Sequence, residues 1–276
     1  MAGGPIVTVV DEAPVAGSEE TATGRYVLEP AARGPWDPGS AHGGAPSALL
    51  ARAIEARAGE SQRISSLATT FLGPVPLGPV EVRTVVAKPG SRLQVVHAEL
   101  RAGGRVAMEA QAVLLRRGRV ALPPGVGQPW PELAPPEGLA AAPRWFVADG
   151  QEGFHPGAIE IRPLEGELRT PAPRGRSAWL RLLRPLVAGE TPTGAQRAAA
   201  AADFGNGLSC PVPMDDFVFV NCDLHVALHR DPAGEWIGVR ARTELDGAGT
   251  GLTTTELHDA AGRFGTATQT LFVDAR

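Results

Sequence analysis

The chain runs to 276 residues, enough to bury a sizeable core as one large domain or two small ones. With 43% hydrophobic and 20% charged residues it has the composition of a globular protein, and a formal net charge of −4 leaves no overall basic surface for nucleic acid. Two cysteines, Cys210 and Cys222, are too few for a disulfide framework or a zinc cage, so no metal site is expected from them.

The opening stretch, MAGGPIVTVVDEAPVAGSEE, has no basic n-region and no long apolar core, so no signal peptide is expected. No apolar run approaches the roughly 20 residues of a membrane span. The expectation is a cytoplasmic protein with reduced thiols and no membrane association. After a strand around residues 23–29, residues 42–57 (HGGAPSALLARAIEAR) read as a helix, with Ala48, Leu49, Ala51, Arg52 and Ile54 as helix formers. Four Val- and Leu-rich stretches follow at 64–71, 80–88, 93–101 and 106–116. Turns such as Lys88-Pro89-Gly90-Ser91 and Ala102-Gly103-Gly104 separate them. Residues 122–144, rich in Pro, Gly and Ala, read as a linker. Beyond it come a strand around 179–186 and a helix over 193–203, with Thr191 or Thr193 as its N-cap. Strands are then expected at 217–228, 236–245, 252–258 and 264–273.

The two halves repeat. Gly104-Arg105 and Gln111 recur as Gly262-Arg263 and Gln269 at an offset of 158 residues, which Pro74 and Pro232 share; Val82-Arg83 and Val239-Arg240 are 157 apart. A helix followed by four antiparallel strands, twice over, predicts an α+β chain. It divides into an N-terminal unit (1–121), a linker (122–150) and a C-terminal unit (151–276). Long meander strands curl around a helix, and pairing two such sheets edge to edge removes exposed edges.

On these residues the chain resembles the double-hotdog acyl-CoA thioesterases, the type II and thioesterase-like group. The resemblance is carried by HGGAPSALLARAIEA, by ISSLATTFLGPVP, and by Asp203 in AAADFGNG. Asn221-Cys222-Asp223 leading to Leu228-His229-Arg230, and Gln269 in TATQTLFV, complete it. It implies two fused hotdog halves, each an antiparallel sheet wrapped around a central helix. It also implies hydrolysis of acyl-CoA or acyl-carrier thioesters without a cofactor. In that family an Asp on the second helix, a Thr or similar residue on the next strand and a Gln on the last strand hold a water. Carried over, these are Asp203, Asn221 and Gln269, with Asn221 departing from the family's Thr. The first half has no matching acid, since Ala45 follows the glycine pair and Glu55 lies too far along the helix.

The residue chemistry suits hydrolysis. A carboxylate can accept a proton from water, and the amides of Asn221 and Gln269 can orient that water without adding charge. The Gly43 and Gly44 amides open a helix, where free N–H groups favour a developing oxyanion; tight helix–sheet packing explains the glycines equally well. His42 beside them is more often a helix-entry hydrogen-bonder than a catalyst, and is placed with the glycines as an oxyanion or substrate-binding group. Gly207-Leu208-Ser209-Cys210-Pro211 is a broken nucleophile elbow, and His225 and His229 lie about 13 Å apart on a strand, too far to share a metal. A non-hydrolytic acyl-CoA or acyl-carrier binding module, or an acyltransferase, remains as the alternative on this fold. Oligomeric state is left open, hotdog pairs often associating into homo-oligomers.

Overall fold

Alternation of buried and exposed side chains sets the architecture. The computed structural model describes residues 3–12, 21–59, 61–126, 132–143 and 151–276. Among them thirteen strands form one sheet: β1 (Val7–Glu12), β2 (Thr21–Leu28), β3 (Gln62–Phe71), β4 (Gly78–Lys88), β5 (Leu93–Ala102) and β6 (Arg105–Arg116), then β7 (Ile159–Pro163), β8 (Arg176–Leu182), β9 (Phe217–Asn221), β10 (Asp223–Leu228), β11 (Ile237–Asp246), β12 (Thr250–Asp259) and β13 (Gly262–Ala275). In β4, Val80, Val82 and Thr84 turn inward, and in β5 Gln94, Val96, Ala98 and Leu100 do, the period-two pattern of a sheet with one covered face. The spatial order is β1-β2-β4-β5-β6-β3-β10-β13-β12-β11-β8-β7, with β9 also on β13. The two halves of the chain meet where β3 runs antiparallel to β10, Leu67 opposite Val226.

Among the described residues three α-helices lie against the sheet: α1 (Gly44–Glu55), α2 (Gly194–Ala202) and α3 (Gly205–Ser209). α1 packs on β3, β4 and β5, and α2 on β8, β10 and β11. Nearly every α1 side chain from Ala45 to Ile54 is buried, as a helix enclosed on all sides requires. Six of the nine α2 residues are alanine, and α1 and α2 lie antiparallel at close range. A Cβ on Gly44 would stand 2.5 Å from the Ala200 carbonyl oxygen, so glycine there is a condition of the helix contact. Thr193 is the α2 N-cap, accepting from the Gln196 N–H at 3.2 Å. No helix among the described residues is long and apolar enough to cross a membrane.

Strand pairing refines the repeat. Val82 faces Leu100 as Val239 faces Leu257, and the bulge after Leu100 recurs after Leu257. All these pairs are 157 residues apart. Identity matching at 158 is therefore one residue out of register on the last strand. Gln111 points outward to His97 at 3.1 Å, whereas Gln269 is buried and its structural counterpart is Ala112.

Elsewhere the chain departs from expectation in definite ways. The long strand expected over 217–228 breaks at Cys222. There Asp223 Oδ1 accepts the Thr270 N–H at 2.7 Å, a side chain standing in the ladder. β1 and β7 were not expected, and both are short strands at the ends of the sheet. Of the linker, 127–131 and 144–150 lie outside the described residues. Residues 132–143 pack on the β7–β8 edge: Trp179 Nε1 donates to the Ala134 carbonyl at 2.6 Å, and the Ala142 N–H to that of Ile161 at 2.7 Å.

Candidate active site

Asp203 follows the last residue of α2, and Phe204 then leads into α3, so the acid sits at a break between two helices. It is only 5% exposed. A carboxylate at its own helix's C-terminus is electrostatically disfavoured, but the antiparallel packing brings it to the N-terminus of α1. Its Oδ2 lies 2.9 Å from His42 Nδ1, and its Oδ1 accepts from Asn221 Nδ2 at 2.8 Å. Gly43 has no room for a side chain, because a Cβ would stand 2.8 Å from both Asp203 Oδ2 and the Phe71 ring.

His42 Nδ1 is also 3.1 Å from the Gly44 N–H. One nitrogen cannot donate to the carboxylate and accept from the amide together. The carboxylate is the stronger partner, which places a proton on Nδ1. Among the described residues, nothing accepts from the neighbouring Gly43 N–H. The His42 ring stacks on Phe204 at 4.1 Å, with Phe154 at 5.2 Å. His42 and Asp203 therefore meet among aromatic rings.

Gln269 has a different place from the other two. It is fully buried, its Nε2 donates to the Asp203 carbonyl at 3.3 Å, and its Oε1 accepts from the Asn206 N–H at 3.0 Å. Both ends of its amide thus hold the backbone of the α2–α3 break. Gly205 must be glycine for this, since a Cβ there would stand 2.7 Å from Gln269 Oε1. A chain of hydroxyls, Ser209 to Thr243 to Thr253 at 2.7 Å each, fixes the far end of α3.

Asp203, His42, Gly43 and Asn221 line a cavity of about 320 Å³ between segments from both halves of the chain. The expected residues are thus brought together, with Gln269 behind them. Trp36, Phe204 and Phe219, also in the wall, were not anticipated, nor was Phe154 behind His42. Phe204 could have been read from its place beside the acid, but Trp36 and Phe219 reach the site from separate segments with no local signal. His229 and Arg230, part of the resemblance, do not line the cavity: Arg230 holds Asp259 through two bonds of 2.5 and 2.6 Å.

A second acid lies away from the cavity. Glu55, at the end of α1, does reach the start of α2, accepting from Thr193 Oγ1 at 2.8 Å and Gln196 Nε2 at 2.7 Å. The antiparallel pair thus has an acid at each crossing of helix ends. Burial pushes the Glu55 pKa up, against the pull of the Gln196 and Thr193 hydrogen bonds.

Residues 32–115 match the family model of the acyl-CoA thioesterase N-terminal domain, and residues 129–273 that of the C-terminal domain. The chain belongs to this acyl-CoA thioesterase family and is a thioester hydrolase. Solved structures agree on the fold. A hotdog-fold protein from Alicyclobacillus acidocaldarius is similar at a TM-score of 0.70 and 16% identity, over 95% of this chain and 96% of that one. Acyl-CoA thioesterase II TesB2 from Mycobacterium marinum is similar at 0.64 and 13%, over 96% of each chain. A protein from Thermobifida fusca YX, assigned as a thioesterase II, is similar at 0.71 and 18%, over 96% and 95%. Comparison with curated protein sequences finds no match.

Proposed function

We propose that the chain hydrolyses acyl-CoA thioesters in the cytoplasm, using a water activated at Asp203. The framework would be a double hotdog, residues 1–121 and 151–276 as two units each wrapped on its own helix and joined by 122–150. The observation that carries the reading is the Asp203 carboxylate, held on both oxygens at the wall of a largely apolar cavity. Each oxygen keeps a lone pair for water after accepting from His42 or Asn221. The water attacks the thioester carbonyl carbon and passes a proton to Asp203. The oxyanion so formed is stabilised by the Gly43 and Gly44 N–H groups at the start of α1. Collapse breaks the C–S bond, and the thiolate leaves readily because thiols ionise near pH 8.5; Asp203 returns its proton to the sulfur. Gln269 acts as a positioning residue, setting the backbone from which Asp203 projects.

Asp203→Asn keeps the shape and removes the base. It is expected to lower free-thiol release from acyl-CoA by at least about 10²-fold with an unchanged melting temperature. A folded variant with undiminished turnover would remove Asp203 from the chemistry. The 2.9 Å contact to His42 supports a second reading, in which Nε2 of His42 takes the proton and Asp203 orients the ring. His42→Ala separates the two: a loss of about tenfold fits Asp203 as base, and one as large as that of Asp203→Asn fits His42. Thiol release from no thioester at all would favour a non-hydrolytic acyl-binding role.

A further inference from the structure

We propose that the cavity selects a short, uncharged acyl group and rejects acyl chains that end in a carboxylate. The inference rests on the reading of this cavity as a thioester site, and it concerns what the wall admits.

Size is the first constraint. A volume of about 320 Å³ lies at the small end of the roughly 300–1,000 Å³ typical of ligand pockets. Part of that space is taken by the thioester and the arm that carries it past Asp203. Buried Val75, Phe204 and Phe219 bound the interior, and Phe219 is braced edge-to-face by Trp36 at 5.4 Å. What remains suits a compact acyl group.

Charge is the second. Among the described residues the lining includes two acids, Asp203 and Asp37, and no lysine or arginine. The nearby Arg276 guanidinium lies 5.6 Å from the Trp36 ring but is not part of the lining, and its Nε donates to the Phe217 carbonyl. A terminal carboxylate pushed inward would lose its water, meet no lysine or arginine among the described residues and face Asp203. A neutral chain of the same length gains from the same walls.

The test compares hexanoyl-CoA, adipoyl-CoA and palmitoyl-CoA by thiol release. In parallel, calorimetry measures binding of two thioethers that cannot be hydrolysed, S-hexyl-CoA and S-(5-carboxypentyl)-CoA. Hexanoyl-CoA is expected to exceed adipoyl-CoA by about 10²-fold or more in kcat/KM and palmitoyl-CoA by about tenfold, with the two thioethers differing in the same direction as the first pair. Turnover of adipoyl-CoA within a few-fold of hexanoyl-CoA, equal binding of the two thioethers, or a preference for palmitoyl-CoA would overturn the proposal. Selective S-hexyl-CoA binding with no hydrolysis of any thioester would overturn the hydrolytic reading and keep the selectivity. Phe219→Leu, a mild change in the wall, is expected to raise turnover of longer chains relative to hexanoyl-CoA several-fold.

Discussion

Asp203 receives one hydrogen bond per carboxylate oxygen, and the donors come from different segments: His42 before α1 and Asn221 at the end of β9. Asn221→Ala removes the second donor without touching the cavity's aromatic walls. Its kcat is expected to fall about tenfold with KM little changed, since the lost bond orients the base and does not hold substrate. The two cysteines make a second residue-level contrast. Cys222 is exposed and lines the cavity, while Cys210 is buried, with its thiol pushed up to about 11 by burial. N-ethylmaleimide is therefore expected to add once, at Cys222, and to block turnover; mass spectrometry counts the adducts, and Cys222→Ser should stay active and resist the reagent. At this scale the sequence was informative where chemistry is local. Asp203 stands out because an acid is out of place at a helix C-terminus, and the inward face of Gln269 follows from Ala267 and Leu271. The partners of Glu55 were not legible because Thr193 and Gln196 are remote in sequence.

Between elements, the antiparallel α1–α2 pair matters most. Gly44 lets the helices touch, and Gly44→Ala places a methyl 2.5 Å from a carbonyl oxygen. A loss of about 2 kcal/mol is expected, visible as a lower urea midpoint. At the opposite crossing, burial raises the folded-state pKa of Glu55 above its ordinary 4.5. The folded protein then holds this proton more tightly than the unfolded chain does. The contribution of Glu55 to stability is thus greatest below that ordinary value and declines as pH rises through the raised one. Glu55→Gln should flatten the decline in a series of denaturation curves across mildly acidic pH; an identical slope in both proteins would contradict it. Among elements, the legible ones were long and bounded by Gly or Pro turns. β1 and β7 are short, α3 is five residues with two glycines, and the break at Cys222 depends on Asp223 bonding a neighbouring strand.

Across the whole molecule, β3 and β10 join the two halves into one sheet, and the cavity draws its walls from both. The C-terminal half is further tied by Arg230 to Asp259, whose carboxylate also accepts the Ala233 and Ala261 N–H groups at 2.7 and 2.8 Å. Burial alone would raise the Asp259 pKa, but Arg230 and the two amides outweigh it and the net shift is downward. The stabilisation is therefore present above the ordinary value of 3.8 and lost as pH falls through the lowered one. Asp259→Asn is expected to cost about 2 kcal/mol near neutrality, with the gap between mutant and parent narrowing in strong acid. The overall plan was readable because duplication writes the same pattern twice. Its register was not, because a bulge or a one-residue shift leaves identities intact while turning a side chain to the other face.

The two crossings of helix ends also bear on how such a molecule changes over generations. In a symmetric pair of identical chains, every substitution appears at both crossings at once. A single gene that encodes both releases them to diverge. Here one crossing pairs histidine with aspartate at the wall of a cavity, and the other ties glutamate to threonine and glutamine. That division of labour is barred to a homodimer, whose two copies must always carry the same residues.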